Sequence, residues 1–302
     1  MSQEQNELTT EDEASYFPIR TLSAKTGVNS VTLRAWERRY GLLKPKRTEK
    51  GHRLYCDDDV ARVDGIVRWM QQGVAVSKVR ALLDREESID TIPLSNEWLE
   101  WQASLVSLSR QFQEDKIEHL YQQLLSQYPP LVVIKNWLLP SLEQLGGGVD
   151  ARFCETVISR CLAGRLASLK NQHMNAPKVL ITGLSSERTL WCYMAAALFS
   201  DHGFACSVLP NMSSEKDWYA LIEGLEPSAI VAFCESELIP KTPYLLTSLE
   251  AYSEPVALIG ASFWLAAHAN KTTELGLVSV YSEALEGVLA MLKKLGVEKV
   301  AE

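Results

Sequence analysis

Apolar residues in the run LRAWERRYGLL recur at Leu33, Trp36 and Tyr40, the i, i+3, i+7 spacing of one helical stripe, while Arg34, Arg38 and Arg39 project from the other faces. Upstream, residues 19–26 read as a second short helix with Thr21 as its N-cap, and Gly27 and Asn29 supply the turn and the next N-cap. Two short helices joined by a few residues make a helix-turn-helix. Pro45 stops helical propagation. Residues 44–55 then predict two short strands around Glu49, Lys50 and Gly51, a basic β-wing. Asp57, Asp58 and Asp59 cap a third helix with Val60, Val63, Val67 and Met70 as its inner stripe. Gly73 ends it, and Ser77 opens a fourth helix carrying Val79, Leu82 and Leu83.

Beyond a charged and Pro/Ser-bearing linker the pattern stays helical over residues 97–172. Trp98, Trp101, Leu105 and Leu108 form one stripe; Ile117, Leu120, Tyr121, Leu124 and Leu125 form another. A break at Pro129 and Pro130, a third helix over 132–145 interrupted near Pro140, a hinge at Gly146 to Gly148 and a fourth helix over 151–172 predict a four-helix bundle. The period then changes. Short apolar strands at 178–183, 205–209, 229–234, 256–260 and 276–280 alternate with helices at 190–202, 216–225, 244–252 and 282–295, which predicts a parallel, doubly wound sheet of flavodoxin-like type. The expected fold class is multidomain: an acidic disordered tail (1–15), an all-α winged helix-turn-helix (16–86), a linker (87–96), a helical bundle (97–175) and an α/β domain (176–302).

Charge sharpens this division. Residues 16–85 hold 15 basic and 7 acidic residues, a net of +8, whereas residues 86–302 hold 15 basic and 26 acidic, a net of −11. A basic module on an acidic body suits nucleic acid, because affinity follows local rather than total charge. There is no basic start followed by an apolar run, and no stretch has the apolar length of a membrane span, so a cytoplasmic protein without membrane partners is expected. Cys56, Cys154, Cys161, Cys192, Cys206 and Cys234 are scattered without Cys-x-x-Cys and read as reduced thiols.

The helix-turn-helix, TLRAWERRYGLLKPKR, GHRLY, the acidic cap and the helix ending near Gly73 together resemble the DNA-binding domain of the MerR family of transcription regulators. The form AWERRYG is similar to the MlrA-like and cobalamin-dependent light-responsive branch. The resemblance implies a homodimer or higher oligomer on an inverted-repeat site in double-stranded promoter DNA, distorting it for RNA polymerase, with a role in biofilm or curli-type genes. It places Thr32, Arg34, Trp36, Arg38, Arg39 and Tyr40 on the recognition helix, Arg34 and Arg38 being best placed for guanine edges or phosphates. Lys46, Arg47, His52, Arg53 and Tyr55 belong to the wing, where phosphate contacts are expected. Trp36 and Tyr40 also read as core aromatics, and His52 has no Cys or His at metal-ligand spacing.

The bundle and α/β region resemble the cobalamin-binding module of that branch, whose loop Asp/Glu-x-His-x-x-Gly binds cobalt through the His. Here the loop carries Glu187, Arg188 and Trp191, with Arg188 at the His position and Trp191 at the Gly position. An arginine has no lone pair to donate. On the bundle helix Glu155 matches the family's Glu and Thr156 stands in place of its His, and no Trp lies between Ser141 and Cys154. No cofactor is therefore expected, cobalamin included, and Glu187, Arg188 and Trp191 form at most a weak effector pocket or a plugged one. The alternatives are a cobalamin-dependent light-responsive repressor and a regulator controlled by a protein docking on the C-terminal module. Asp217, Glu235, Glu237 and His268 fall in no spacing that defines a reaction, so no enzyme is expected.

Overall fold

The computed structural model describes residues 16–83, 96–170, 173, 175–184, 188–212, 215–235, 252–269, 274–275 and 277–297. Strand β1 (Phe17–Pro18) leads into α1 (Ile19–Thr26), which starts two residues before Thr21 with Pro18 as N-cap; Thr21 therefore lies inside the helix rather than capping it. Gly27 turns the chain at φ 67°, a conformation a side chain would strain. Asn29 caps α2 (Ser30–Ala35) by accepting from the Val31 N–H at 2.8 Å, and the helix runs on through a π turn, Trp36–Tyr40. Strands β2 (Lys46–Arg47) and β3 (Arg53–Tyr55) pair antiparallel across a turn with Gly51 at φ 80°. An unanticipated third strand joins them, because β1 pairs with β3 on its other side.

Helix α3 (Asp57–Gln71) takes its N-cap from Cys56, not from the aspartates. These form its first turn, and the Asp59 carboxylate accepts from the Cys56 N–H at 3.0 Å. Its fully buried positions are Val63, Ile66, Trp69 and Met70, so the stripe is rotated from the expected one and leaves Val60 and Val67 half-buried. Helix α4 spans Val76–Leu83. The expected linker falls almost wholly outside the described residues, as do the acidic tail and most of the expected helix over 244–252.

Helices α5 (Asn96–Arg110), α6 (Glu114–Leu125), α7 (Pro130–Val133), α8 (Leu139–Leu145) and α9 (Val149–Leu169) follow. Pro140 does not interrupt the third helical run. A π turn at Ile134–Leu138 joins α7 to α8 and passes the proline, whose missing N–H would otherwise cost a ladder bond. The sheet follows the order β5 (Ala205–Leu209), β4 (Lys178–Gly183), β6 (Ala229–Phe233), β7 (Val256–Ile259), β9 (Val278–Tyr281), β8 (Glu274–Leu275). The first five strands are parallel, and β8 adds an antiparallel edge that the sequence pattern did not reveal. Helices α10 (Thr189–Asp201), α11 (Glu215–Leu225), α12 (Ala261–Ala269) and α13 (Ala284–Lys294) cover the faces. Buried runs such as VLITG on β4 and AIVAF on β6 fit strands covered on both sides.

One apolar core runs from Leu22 through Trp36, Trp98 and Trp137 to Phe199 and Leu292, and a second fills the opposite face of the sheet. The N-terminal head is therefore packed onto the body. The Trp36 indole donates to the Gln127 carbonyl at 2.7 Å, Tyr40 bonds the Gln127 side chain, and the Asn136 amide donates to the Met70 carbonyl at 3.1 Å. The Tyr128 hydroxyl accepts from the Val76 N–H at 3.2 Å, and burial pushes the phenol pKa up against the lowering pull of that bond.

Candidate nucleic-acid interface

Four turns of chain build one basic surface. On α2 the buried set Leu33, Ala35 and Trp36 pins the helix to the head, which turns Val31, Arg34, Arg38 and Arg39 outward. None of the three arginines makes an ion pair among the described residues, so their charge faces solvent. Beside them the hairpin exposes Lys46, Arg47 and His52. Lys46 lies over the Tyr16 ring at 4.5 Å, a contact that keeps its ammonium at the surface.

Glu37 sets the distance between helix and hairpin. It is largely buried, pairs with Arg47 at 3.0 Å, and accepts from the Arg53 Nε at 2.5 Å. That hydrogen bond holds the Arg53 pKa above its ordinary value, so one carboxylate clamps two hairpin arginines. The sequence showed Glu37 only as the acid within a basic helix. No local signal links it to a residue sixteen positions on. Replacing Glu37 with alanine should lower DNA affinity about tenfold, since an unpaired charge-assisted bond costs about 1–3 kcal/mol. Titration of a labelled promoter fragment measures it; unchanged affinity would mean the hairpin holds its place without the clamp.

Burial separates the expected contact residues. Thr32, Trp36 and Tyr55 are buried and Tyr40 is half-buried, so these four pack the head and its junction rather than join the solvent-facing set. The Tyr55 hydroxyl has no hydrogen-bond partner among the described residues, and desolvation raises its pKa to about 12. Arg53 is half-buried beneath Glu37.

The expected effector loop is described only from Arg188 onward, and Glu187 lies outside the described residues. Arg188 pairs with Glu235 across the C-terminal ends of the strands, and the Trp191 ring stacks near Phe233 at 6.4 Å between centroids. Glu155 of the bundle is half-buried here, its pKa raised by burial against the lowering pull of Arg152 and Arg188. What remains open beside Arg188, Trp191 and Glu235 is about 280 Å³, below the usual size of a small-molecule site. These residues differ from the donor set of the cobalamin motif: the guanidinium of Arg188, held by Glu235, has no lone pair for a metal, and Thr156 is exposed and donates to its own helix. Among the described residues no group of His, Cys, Asp and Glu forms a metal site, and no helix is long and apolar enough to cross a membrane.

The sequence profile described as MerR HTH family regulatory protein matches residues 17–86. The chain is 37% identical over 205 residues to the HTH-type transcriptional regulator MlrA of Escherichia coli, an overlap covering 65% of this chain and 80% of that one. It is 33% identical over 209 residues to the MlrA of Salmonella typhimurium, covering 66% and 82%. Against the HTH-type transcriptional repressor CarH of Myxococcus xanthus it is 30% identical over 169 residues, covering 51% and 56%. Among solved structures, the methanol:cobalamin methyltransferase complex of Methanosarcina barkeri aligns with a TM-score of 0.37 at 13% identity, over 74% of this chain and 97% of that one.

Proposed function

Since the chain belongs to the MerR family of helix-turn-helix transcription regulators, we propose that it recognises an inverted repeat in promoter DNA through α2 and the β2–β3 hairpin. The hairpin then serves as the wing of a winged helix-turn-helix, helices α5–α9 as a bundle, and the sheet as a flavodoxin-like effector module. The observation that carries the reading is the outward set Arg34, Arg38 and Arg39 beside Lys46, Arg47 and His52, on a head whose net charge opposes that of the body. One head covers too few base pairs for genomic specificity, so a homodimer or higher oligomer reads two half-sites. Distortion of the untouched centre adds indirect readout and realigns the promoter for RNA polymerase. The MlrA relatives support a role in the same class of genes, and the family supports a cytoplasmic, non-catalytic protein.

Phosphate neutralisation makes binding steeply salt-dependent. With about six phosphate contacts, affinity should fall about 10³-fold between 50 and 200 mM salt. Fluorescence anisotropy with the protein's own upstream region measures the slope, and a flat response would remove this surface from consideration.

The effector module, on this proposal, does not use cobalamin. Arg188, Trp191 and Thr156 support that reading, since they stand where the resembled motif has its His, its Gly and the bundle His, although Glu155 is retained. Incubation with adenosyl- and methylcobalamin followed by desalting should leave a colourless protein; retained corrinoid absorbance would instead make it a light-responsive repressor of CarH type.

A further inference from the structure

A second, larger cavity lies where the head meets the body, far from the strand ends. It measures about 720 Å³ and runs between the start of α2 and the faces of α6 and α9. Asn29 and Thr32 form its head wall; Tyr121, Leu125, Arg165 and Leu169 form its body wall.

Two features of that wall are unexplained by folding. Tyr121 is only 6% exposed, yet its hydroxyl has no hydrogen-bond partner among the described residues. Burial pushes its pKa up against the lowering pull of Arg165, so it is a protonated donor at any physiological pH. Among the described residues Arg165 pairs only with the Asp201 carboxylate, and at 3.5 Å, too far to use the guanidinium's donors fully. Asp201 is itself buried, and that oxygen accepts no hydrogen bond among the described residues. Arg160, the other cation on this cleft, is already held by Glu114 and Glu118. Tyr121 and an under-used guanidinium thus line one cleft with a largely apolar floor.

We propose that this cleft is a binding site for a small organic acid, an apolar body bearing one carboxylate. One carboxylate oxygen accepts from the Tyr121 hydroxyl and the other from Arg165, while Leu125 and Leu169 pack the apolar body. Two donors of different kinds suit a carboxylate, which accepts through both oxygens, and a neutral amide lacks the charge that Arg165 rewards. Asn29 caps α2 through its 2.8 Å bond, so the head wall moves with the recognition helix. Occupancy is therefore linked to DNA affinity, and the linkage is reciprocal. The linkage rests on the DNA-binding reading; acid binding does not.

Benzoate is the probe, with benzamide as the uncharged control, and titration calorimetry without DNA is the readout. Wild-type protein should bind benzoate saturably and benzamide at least tenfold more weakly. Because Arg165 replacements leave Asp201 without its partner, two other variants carry the test. Tyr121→Phe should weaken benzoate about tenfold by removing one donor. Gly164 sits on α9 at the cleft with nothing within 4 Å of an added Cβ, so Gly164→Trp should fill the space and abolish binding without disturbing the core. No saturable heat with benzoate, equal binding of benzamide, or wild-type affinity in both variants would each overturn the site. Benzoate binding that leaves promoter affinity unchanged would overturn the linkage alone.

Discussion

Replacing Arg34 and Arg38 together with alanine is expected to weaken specific promoter binding by 10²-fold or more while shifting Tm by no more than about 2 °C. Each arginine reaching a base edge is worth about 1–3 kcal/mol of discrimination, and two separate contacts add approximately. Both side chains are exposed and unpaired among the described residues, so their removal costs the fold little. Binding isotherms on promoter and scrambled DNA, beside a thermal melt, separate the two effects. A drop of many degrees would make the arginines structural. A uniform loss on both DNAs would confine them to phosphate contacts.

Trp36→Ala carries the largest expected cost to stability. The side chain is fully buried and its indole donates to the Gln127 carbonyl 91 residues away. Truncating a buried tryptophan costs about 3–5 kcal/mol through lost burial and the cavity left behind. The orphaned carbonyl adds about 1 kcal/mol, and the sum corresponds to a Tm fall of about 6–10 °C in a protein of this size. Trp36→Phe keeps most of the volume and loses the bond, so its melt should fall between the two. A normal melt with lost DNA binding would place Trp36 on the DNA instead of in the junction.

The fold was legible where burial follows a short period. The stripe Leu33, Trp36, Tyr40 located α2 and its π turn, and the runs VLITG, AIVAF and VALI located the inner strands, because strands buried on both faces read as continuous apolar segments. Failures occurred where the deciding partner is distant in sequence. The pairing of Phe17–Pro18 with β3 spans about 38 residues, and two residues of strand carry no alternation to read. Cys56 rather than an aspartate caps α3, since the cap follows from backbone geometry that Asp59 completes from three positions on. Tyr55, read as a wing residue, is buried at the end of β3, where Phe17 of β1 is its strand partner.

The candidate surface shows the same division. Arg34, Arg38, Arg39 and Lys46 could be named from charge and helical phase, both local properties. Glu37 as a clamp, Gln127 as the junction acceptor, and Tyr121 with Arg165 as a cleft wall depend on which helices meet. That Arg188 stands where the resembled cobalamin motif has its His was visible in sequence. That Glu235 holds the arginine in place was not, because the two lie on different loops of the sheet.

The most direct test of the central claim is selection from the organism's own genome. The full-length protein is incubated with fragmented genomic DNA at physiological salt, and the retained fragments are sequenced. Paired, oppositely oriented half-sites about one helical turn or a small multiple apart, shared by a small set of promoter fragments, are the predicted result. Retention that follows fragment length alone, with no shared motif, would contradict a sequence-specific regulator and leave the basic head without its assigned role.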